Sequence, residues 1–406
     1  MITMKSLFRI TVALLVAGLS LSSCTSSRNE DTKPRYIFLF IGDGMGVNQA
    51  SMAESYLSYK AGKFGGERLC FTEFPYFGLA ENYTADKYIA CSASAGTSIA
   101  CGVKTCNGWL GVDKDGNPVE SIACRLQSEG YNIGIMTDVP VNHATPAAFY
   151  AHTKNREDYY NISKDILGSG FNFLGGAGLY SITGKNGEPS TQELLEEDGY
   201  ILCYGAEEFA AYADSTDKIV YLQPNAKGND LAYYDNRYNE GDISLKDMLS
   251  LCLDFIGEEE PFFIMCEGGG IDWAAHANMT MSMIEKILEF EEAIEKAMEF
   301  YRSHPNETLI VVTADHATGG CTLGVGMDWR KEFIDWEKLE KQWIESGKLN
   351  KSSYKENEAM NTEALIGWTS SHHTGCPVPV YAIGKGAEKF IGRMDNTDIK
   401  GKILGE

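Results

Sequence analysis

Carboxylates and histidines recur in this sequence where an apolar run has just ended, the edge at which α/β sheets bind ligands. Asp43 follows the run Tyr36–Ile41, inside Gly42-Asp43-Gly44-Met45-Gly46. Glu267 follows Pro261–Cys266, and Asp315 and His316 follow Leu309–Val312. Asp272 and His276 are four apart, which puts them on one helical face where they can hold one ion. His373 lies in Thr369-Ser370-Ser371-His372-His373-Thr374-Gly375. The chain has 7 histidines, and four or five of them fall in or beside these clusters. One histidine is more often a satisfied structural group than a ligand. Several strand ends delivering imidazole and carboxylate to one edge is much harder to reach by chance. Mixed His/Asp ligation suits zinc, and the oxygen-only set Asp43, Thr145 and Glu267 suits magnesium with waters. Two zinc ions about 4 Å apart can clamp the attacking and leaving oxygens of an in-line displacement.

A nucleophile is available in Cys91-Ser92-Ala93-Ser94-Ala95-Gly96-Thr97, which runs on to Gly102-Val103-Lys104-Thr105. A serine at the first turn of a small-residue helix sits beside unpaired N–H groups and the positive dipole end, where phosphate is held well. On its own the stretch reads as a buried helix whose first serine is only a cap; the scattered ligands change that reading. Arg156 is a candidate bidentate clamp for a phosphoryl group, against the ordinary role of a surface cation. A phosphoryl group in flight spreads charge over three oxygens, which two metals, a helix N-terminus and a guanidinium can stabilise.

The elements that must position these groups are those of an α/β protein with parallel strands covered on both faces. Four apolar strands are read at 36–41, 132–136, 261–266 and 309–312, and a last one at 378–383. Helices are expected over 46–60 and 92–105, with an amphipathic crossover helix around 284–298 that makes the third and fourth strands a parallel βαβ pair. His143 and Thr145 follow the second strand, at the ligand edge. Residues 169 to about 247 read as peripheral loops and short elements. The charged stretch at about 328–363 reads as a helical insertion over the active edge or at a subunit contact, or as a solvated surface helix.

Composition bounds the setting. The 406 residues carry a net charge of −22 with 44% hydrophobic residues, which supplies a large core and argues against nucleic acid as a partner. Bound divalent cations can still make an anion site in an acidic protein. Lys5 and Arg9 precede an apolar run, Ile10–Leu21, too short for a membrane span. Leu21-Ser22-Ser23-Cys24 then resembles a bacterial lipobox: residues 1–24 form a lipoprotein signal peptide with Cys24 lipidated, residues 25–34 a tether and residues 35–406 the single domain. The expected location is the periplasm or cell surface, anchored in the outer membrane. No CxxC is present and no cysteine pair has a spacing that marks a disulfide.

Taken together, Ile41–Gly46, Ser92 with Gly102–Thr105, His143–Pro146, Glu267 through His276, Thr313–His316 and His373–Gly375 resemble the alkaline phosphatases over nearly the whole mature chain. The resemblance implies an α/β fold, a three-layer sandwich with a large, mostly parallel central sheet flanked by helices, and a homodimer that hydrolyses phosphate monoesters at alkaline pH through a phosphoserine on Ser92. Asp272, His276 and His373 would hold one zinc. Asp43, Asp315 and His316 would hold a second beside Ser92, while Asp43, Thr145 and Glu267 would hold magnesium. Arg156 would bind the non-bridging phosphate oxygens. Three positions depart from the pattern. Cys91 replaces the usual Asp before the nucleophile, which implies a looser Arg156. His143 and Trp273 replace an Asp and a Lys of some bacterial members, which implies activation by added magnesium. A sulfatase is disfavoured, because Cys91–Ala95 lacks the Cys-x-Pro-x-Arg pattern. A phosphodiesterase on the same metals and an inactive, metal-stabilised surface binding protein are the alternatives. His152 and His304 have no ligand role in this reading, and His372 is assigned to a supporting position.

Overall fold

A strand that is apolar on both faces must be covered on both faces. In the computed structural model, which describes residues 33–184, 187–227, 241–326, 333–346 and 354–406, the run that starts at Tyr36 is buried at every position. Ten strands form the central sheet: β1 (Tyr36–Gly42), β2 (Tyr76–Glu81), β3 (Asn132–Thr137), β4 (Phe173–Gly176), β5 (Ile201–Tyr204), β6 (Ile219–Leu222), β7 (Phe262–Gly268), β8 (Thr308–Thr313), β9 (Val378–Gly384) and β10 (Gly392–Asp395). Their order across the sheet is β10-β2-β9-β8-β1-β7-β3-β4-β6-β5. Pairing is parallel except around β9, which runs antiparallel to β8 and β2.

Register sets the site. Ile41 is level with Glu267 on one side and with Thr313 on the other, and Glu267 is level with Thr137. Four neighbouring strands therefore end in one row, and Asp43 and Asp315 stand two residues beyond it.

Helices flank the sheet: α1 (Val47–Lys60), α2 (Ser92–Cys101), α3 (Ala144–Ala147), α4 (Leu245–Ile256), α5 (Gly270–His276), α6 (Thr280–Ser303), α7 (Trp336–Glu345) and α8 (Tyr354–Glu363) among them. The long crossover helix α6 packs on α1 and α4, and the small-residue helix α2 packs on α3. A Cβ at Gly96 would stand 3.2 Å from that of Ala148, so the glycine lets α2 lie close to its neighbour. Every residue of α2 is buried.

Several expectations need correction. α2 stops at Cys101 rather than at residue 105, because Gly102 takes the left-handed conformation (φ +72°) that closes a helix. The stretch from 169 to 247 is not peripheral: it supplies β4, β5 and β6 and the start of α4. Strand β9 is followed by one more, β10. The charged stretch does form helices, α7 and α8, with Trp336 donating to Ser55 of α1 at 3.3 Å. No disulfide joins the ten cysteines of the described residues. No helix among the described residues is long and apolar enough to cross a membrane. The lipobox and Cys24 lie outside the described residues.

Candidate metal centre and active site

Asp43 leaves β1 into a tight turn that only glycine fits: Gly44 has φ +72°, and a Cβ there would stand 2.9 Å from Thr318 Oγ1 and 3.0 Å from Asp272 Oδ1. The turn aims the Gly44 amide at Asp315 Oδ1 (3.1 Å), which also accepts from the His316 amide at 2.7 Å. One oxygen of Asp315 is thereby fixed and the other, Oδ2, is left without a partner. His316 Nε2 lies 3.1 Å from that Oδ2, 3.6 Å from Asp43 Oδ1 and 3.3 Å from Ser92 Oγ.

The tautomers follow from the hydrogen bonds. Thr318 gives its single hydroxyl proton to Asp272 Oδ1 at 2.5 Å, so its contact with His316 Nδ1 at 3.2 Å is donated by the ring. His316 then presents the bare Nε2 to Ser92, Asp43 and Asp315. His276 Nδ1 lies 2.6 Å from the Ser371 carbonyl and His373 Nδ1 lies 2.8 Å from the Ala90 carbonyl. A carbonyl only accepts, so both Nδ1 atoms carry protons. Their Nε2 atoms meet at 3.1 Å, with His276 Nε2 3.2 Å from Asp272 Oδ2 and His373 Nε2 3.8 Å from Asp272 Oδ1. Burial pushes His276 down, but Asp272 beside its Nε2 more than offsets this and favours a proton there. With that proton displaced, two lone pairs and a carboxylate converge on one point, as in zinc sites whose rings are oriented by backbone carbonyls, and a 3.1 Å separation fits two nitrogens about 2.0–2.1 Å from one ion.

A third group adjoins these two. Glu267 accepts from the Thr137 hydroxyl, and Thr145, at the first turn of α3, lies beside it. Thr145 Oγ1, Glu267 Oε1 and both oxygens of Asp43 are nonetheless buried without a well-formed hydrogen bond. One ligand atom from each of Asp43, His143 and Glu267 falls within 4.8 Å of the others, as it does for the sets Asp43/Asp315/His316 and Asp272/His316/His373. Orphaned buried carboxylate oxygens are expensive unless a cation meets them. Burial pushes Asp315 up to about 7 and Glu267 up to about 8, and it drives Asp43 upward with further repulsion from Asp315. Burial would raise Asp272 too, but His276, His316 and His373 hold it well below the carboxylate range. This donor set fits divalent cations.

Arg156 is placed by its amide, which donates to the Gly108 carbonyl at 2.9 Å. Its guanidinium lies 3.1 Å from His143 Nε2 and attracts Cys91 and Asp43. Burial, with Arg156 alongside, pushes His143 down to about 3, so the ring is neutral and accepts from the guanidinium. Trp273 packs edge-on against it, centroids 5.7 Å apart. Burial pushes the Cys91 thiol up, but Arg156 and the Ser94 amide, with the Gly108 amide 3.1 Å from Sγ, more than offset this. The thiol ends below its ordinary value. Ser92 opens α2 immediately after that cap, where the first amides of the helix lack intrahelical partners.

Every residue singled out for the site in the sequence is thus brought to the end of β3, β7, β1 and β8. Three contributors were not: Thr318, which sets the His316 tautomer; Thr137, which ties Glu267; and Asp138, whose Oδ1 accepts from the Gly269 and Gly270 amides at 2.7 and 3.0 Å and caps α5. Thr318 had a visible signal, being two residues from His316. His152 is exposed, with Nε2 3.3 Å from the Val119 carbonyl. His304 stacks on Phe300, and the exposed His372 ring lies 6.4 Å from His276.

The family model for alkaline phosphatase matches residues 34–172 and 185–404. The chain belongs to the alkaline phosphatase family. It is 30% identical to alkaline phosphatase 4 of Bacillus subtilis, over 95% of this chain and 93% of that one. It is similar in structure to the alkaline phosphatase of the Antarctic bacterium TAB5, with a TM-score of 0.74 and 30% identity over 92% of this chain and 97% of that chain. A His-to-Asp variant of the TAB5 enzyme, with magnesium bound in its M3 site, aligns with a TM-score of 0.72 and 29% identity over the same shares. The mostly parallel sheet flanked by helices is that of these alkaline phosphatases, and the chain is a phosphoric monoester hydrolase with clustered metal-ligating groups.

Proposed function

We propose that this alkaline phosphatase cleaves phosphate monoesters in two displacements through a phosphoserine on Ser92. The observation that carries this reading is Ser92 Oγ at 3.3 Å from a histidine nitrogen held bare, in the midst of carboxylate oxygens with no other partner. Asp272, His276 and His373 would hold one zinc; Asp43, Asp315 and His316 a second; and Asp43, Thr145 and Glu267 a magnesium, in keeping with the magnesium of the TAB5 variant. Bound there, the cations would acidify the attacking hydroxyl and screen the charge of the phosphoryl group. Ser92 Oγ attacks phosphorus in line as the ester oxygen departs, and water then releases phosphate from the serine. Arg156 and the first amides of α2 hold the equatorial oxygens. His143 keeps the guanidinium facing the site by accepting from it.

Lipidation at Cys24, export to the periplasm or outer membrane and the division into signal peptide, tether and single domain belong to the same proposal, on the order of charge, apolar run and small residues over Lys5–Cys24; so does a homodimer, on the family resemblance alone. A second ester group would have to occupy the space that Arg156 fills, which favours monoesters over diesters. The test is hydrolysis of p-nitrophenyl phosphate and its bis ester before and after chelation. The expected result is activity on the monoester that disappears with the metals and returns with zinc, and a loss of on the order of 1,000-fold or more in Ser92→Ala. Parental rates in Ser92→Ala would remove the serine from the mechanism.

A further inference from the structure

Helix α8 buries an unusual pair. Its residues are mostly polar, and among those whose burial is described the fully buried positions are Asn357 and Asn361, 6% and 3% exposed, with Met360 half-buried against the core. They are four apart and so share one face. A surface helix normally buries an apolar stripe; buried amides are stable only when hydrogen-bonded. Both find their partners at the C-terminal end of α5. Asn357 Nδ2 donates to the Ala277 carbonyl at 2.8 Å and Asn361 Nδ2 donates to the Asn278 carbonyl at 2.8 Å. Asn361 Oδ1 accepts from the Thr280 hydroxyl at 2.7 Å, and that hydroxyl accepts from Trp368 Nε1 at 3.0 Å.

These carbonyls lie just past the last turn of α5, where a helix leaves acceptors unpaired. Between them the chain reverses at Asn278, which is buried and has φ +53°, a conformation seldom used by residues other than glycine. With its amide nitrogen turned inward, Asn278 donates to the carbonyls of Ala275 and Ser370, each at 2.9 Å. The next carbonyl, that of Ser371, accepts from His276 Nδ1, and His373 lies two residues further on.

We propose that Asn357 and Asn361 are positioning residues for the Asp272–His276–His373 triad: by capping Ala277 and Asn278 they hold the end of α5 against the Ser370–His373 loop, so that both imidazoles and the carboxylate stay converged on one cation. This rests on the zinc reading above and adds to it a part for the charged stretch, which joins the site through backbone carbonyls rather than through ligands. Asp43, Asp315 and His316 hang from β1 and β8, and the hydrogen bonds of Asn357 and Asn361 given above reach none of them. The clamp therefore acts directly on one zinc and reaches the other only through Thr318 and the stacked His316 and His373 rings.

The test uses the zinc-loaded full chain with Asn357→Ala, Asn361→Ala and, as a control on the exposed side of α8, Glu358→Ala. Each is equilibrated against graded chelator, and protein-bound zinc is measured by elemental analysis alongside the melting temperature of the metal-free form. Loss of partners that orient a ligand typically lowers metal affinity 10- to 100-fold. The expected result is that one of two zinc ions leaves each asparagine variant at about 10- to 100-fold less chelator, while the second ion and all of Glu358→Ala behave as in the parent. Should Asn361→Ala not fold, Asn357→Ala, which leaves the Asn361–Thr280–Trp368 hydrogen bonds in place, carries the test. Equal weakening of both ions with a lower metal-free melting temperature would reduce the pair to general structure and overturn the proposal, as would unchanged zinc retention. Less than one equivalent of zinc in the parent would instead bring down the metal reading itself.

Discussion

Ligand types are legible at the scale of single residues because chemistry restricts them: only a few side chains hold a divalent cation, and here they follow apolar runs. What stays hidden is how each is oriented. Thr318 matters because it has one proton and gives it to Asp272, a residue 46 positions away; no local pattern announces that. Cys91 is a residue-scale case too. Its sulfur takes the Gly108 amide and faces Arg156, the place where a carboxylate would pair with both prongs of the guanidinium. Cys91→Asp is therefore expected to hold Arg156 more firmly and to lower the inhibition constant for inorganic phosphate several-fold. A constant equal to the parental one would show that Cys91 does not loosen the clamp.

Among elements, the long ones were readable and the short ones were not. β1, β7 and β8 announce themselves as unbroken apolar runs. β4, β5 and β6 have four residues each, too few to show a period among glycines and polar residues, so the 169–247 stretch passed for periphery although it completes one side of the sheet. The end of α2 was misplaced because the chain Gly102–Thr105 belongs to the motif but not to the helix. Turns carry the sharpest constraint at this scale. A side chain on Gly44 must adopt φ +72° and also intrude on Thr318 and Asp272. Gly44→Ala is expected to cost about 1–3 kcal/mol of stability and to lower kcat/KM at least 10-fold by displacing Asp272. A variant with the parental melting temperature and rate would mean that the turn can yield.

For the whole molecule, strand order was beyond the sequence: nothing local says that β1 lies between β7 and β8, yet that placement makes residues 43, 267 and 315 neighbours. It also concentrates buried carboxylates, with a consequence for stability. Asp315 and Glu267 titrate near 7 and 8 in the fold, above their ordinary values of 3.8 and 4.5. Groups raised by folding contribute stability that is complete at pH below about 4 and is lost as pH climbs through their folded values. Asp272 is depressed and works the opposite way, adding stability above about 4 that is lost in more acid solution. Below about pH 6.5 His143, His316 and His373, held down by burial, oppose this, because the unfolded chain protonates them; between about pH 6.5 and 8 the raised pair decides. The melting temperature of the metal-stripped protein is expected to fall across that window, and that of the zinc-loaded protein to fall much less, because cations take the place of the protons. A metal-free melting temperature that is flat or rises with pH would contradict the placement of these carboxylates.

The most direct test is an anomalous difference map from crystals of zinc-loaded protein, recorded on either side of the zinc absorption edge. Two zinc peaks are expected at the ends of β1, β7 and β8, one among Asp43, Asp315 and His316 within reach of Ser92 Oγ, the other among Asp272, His276 and His373. Peaks elsewhere, for instance at the Cys70, Glu291 and Glu295 cluster, with none beside Ser92, would contradict the account.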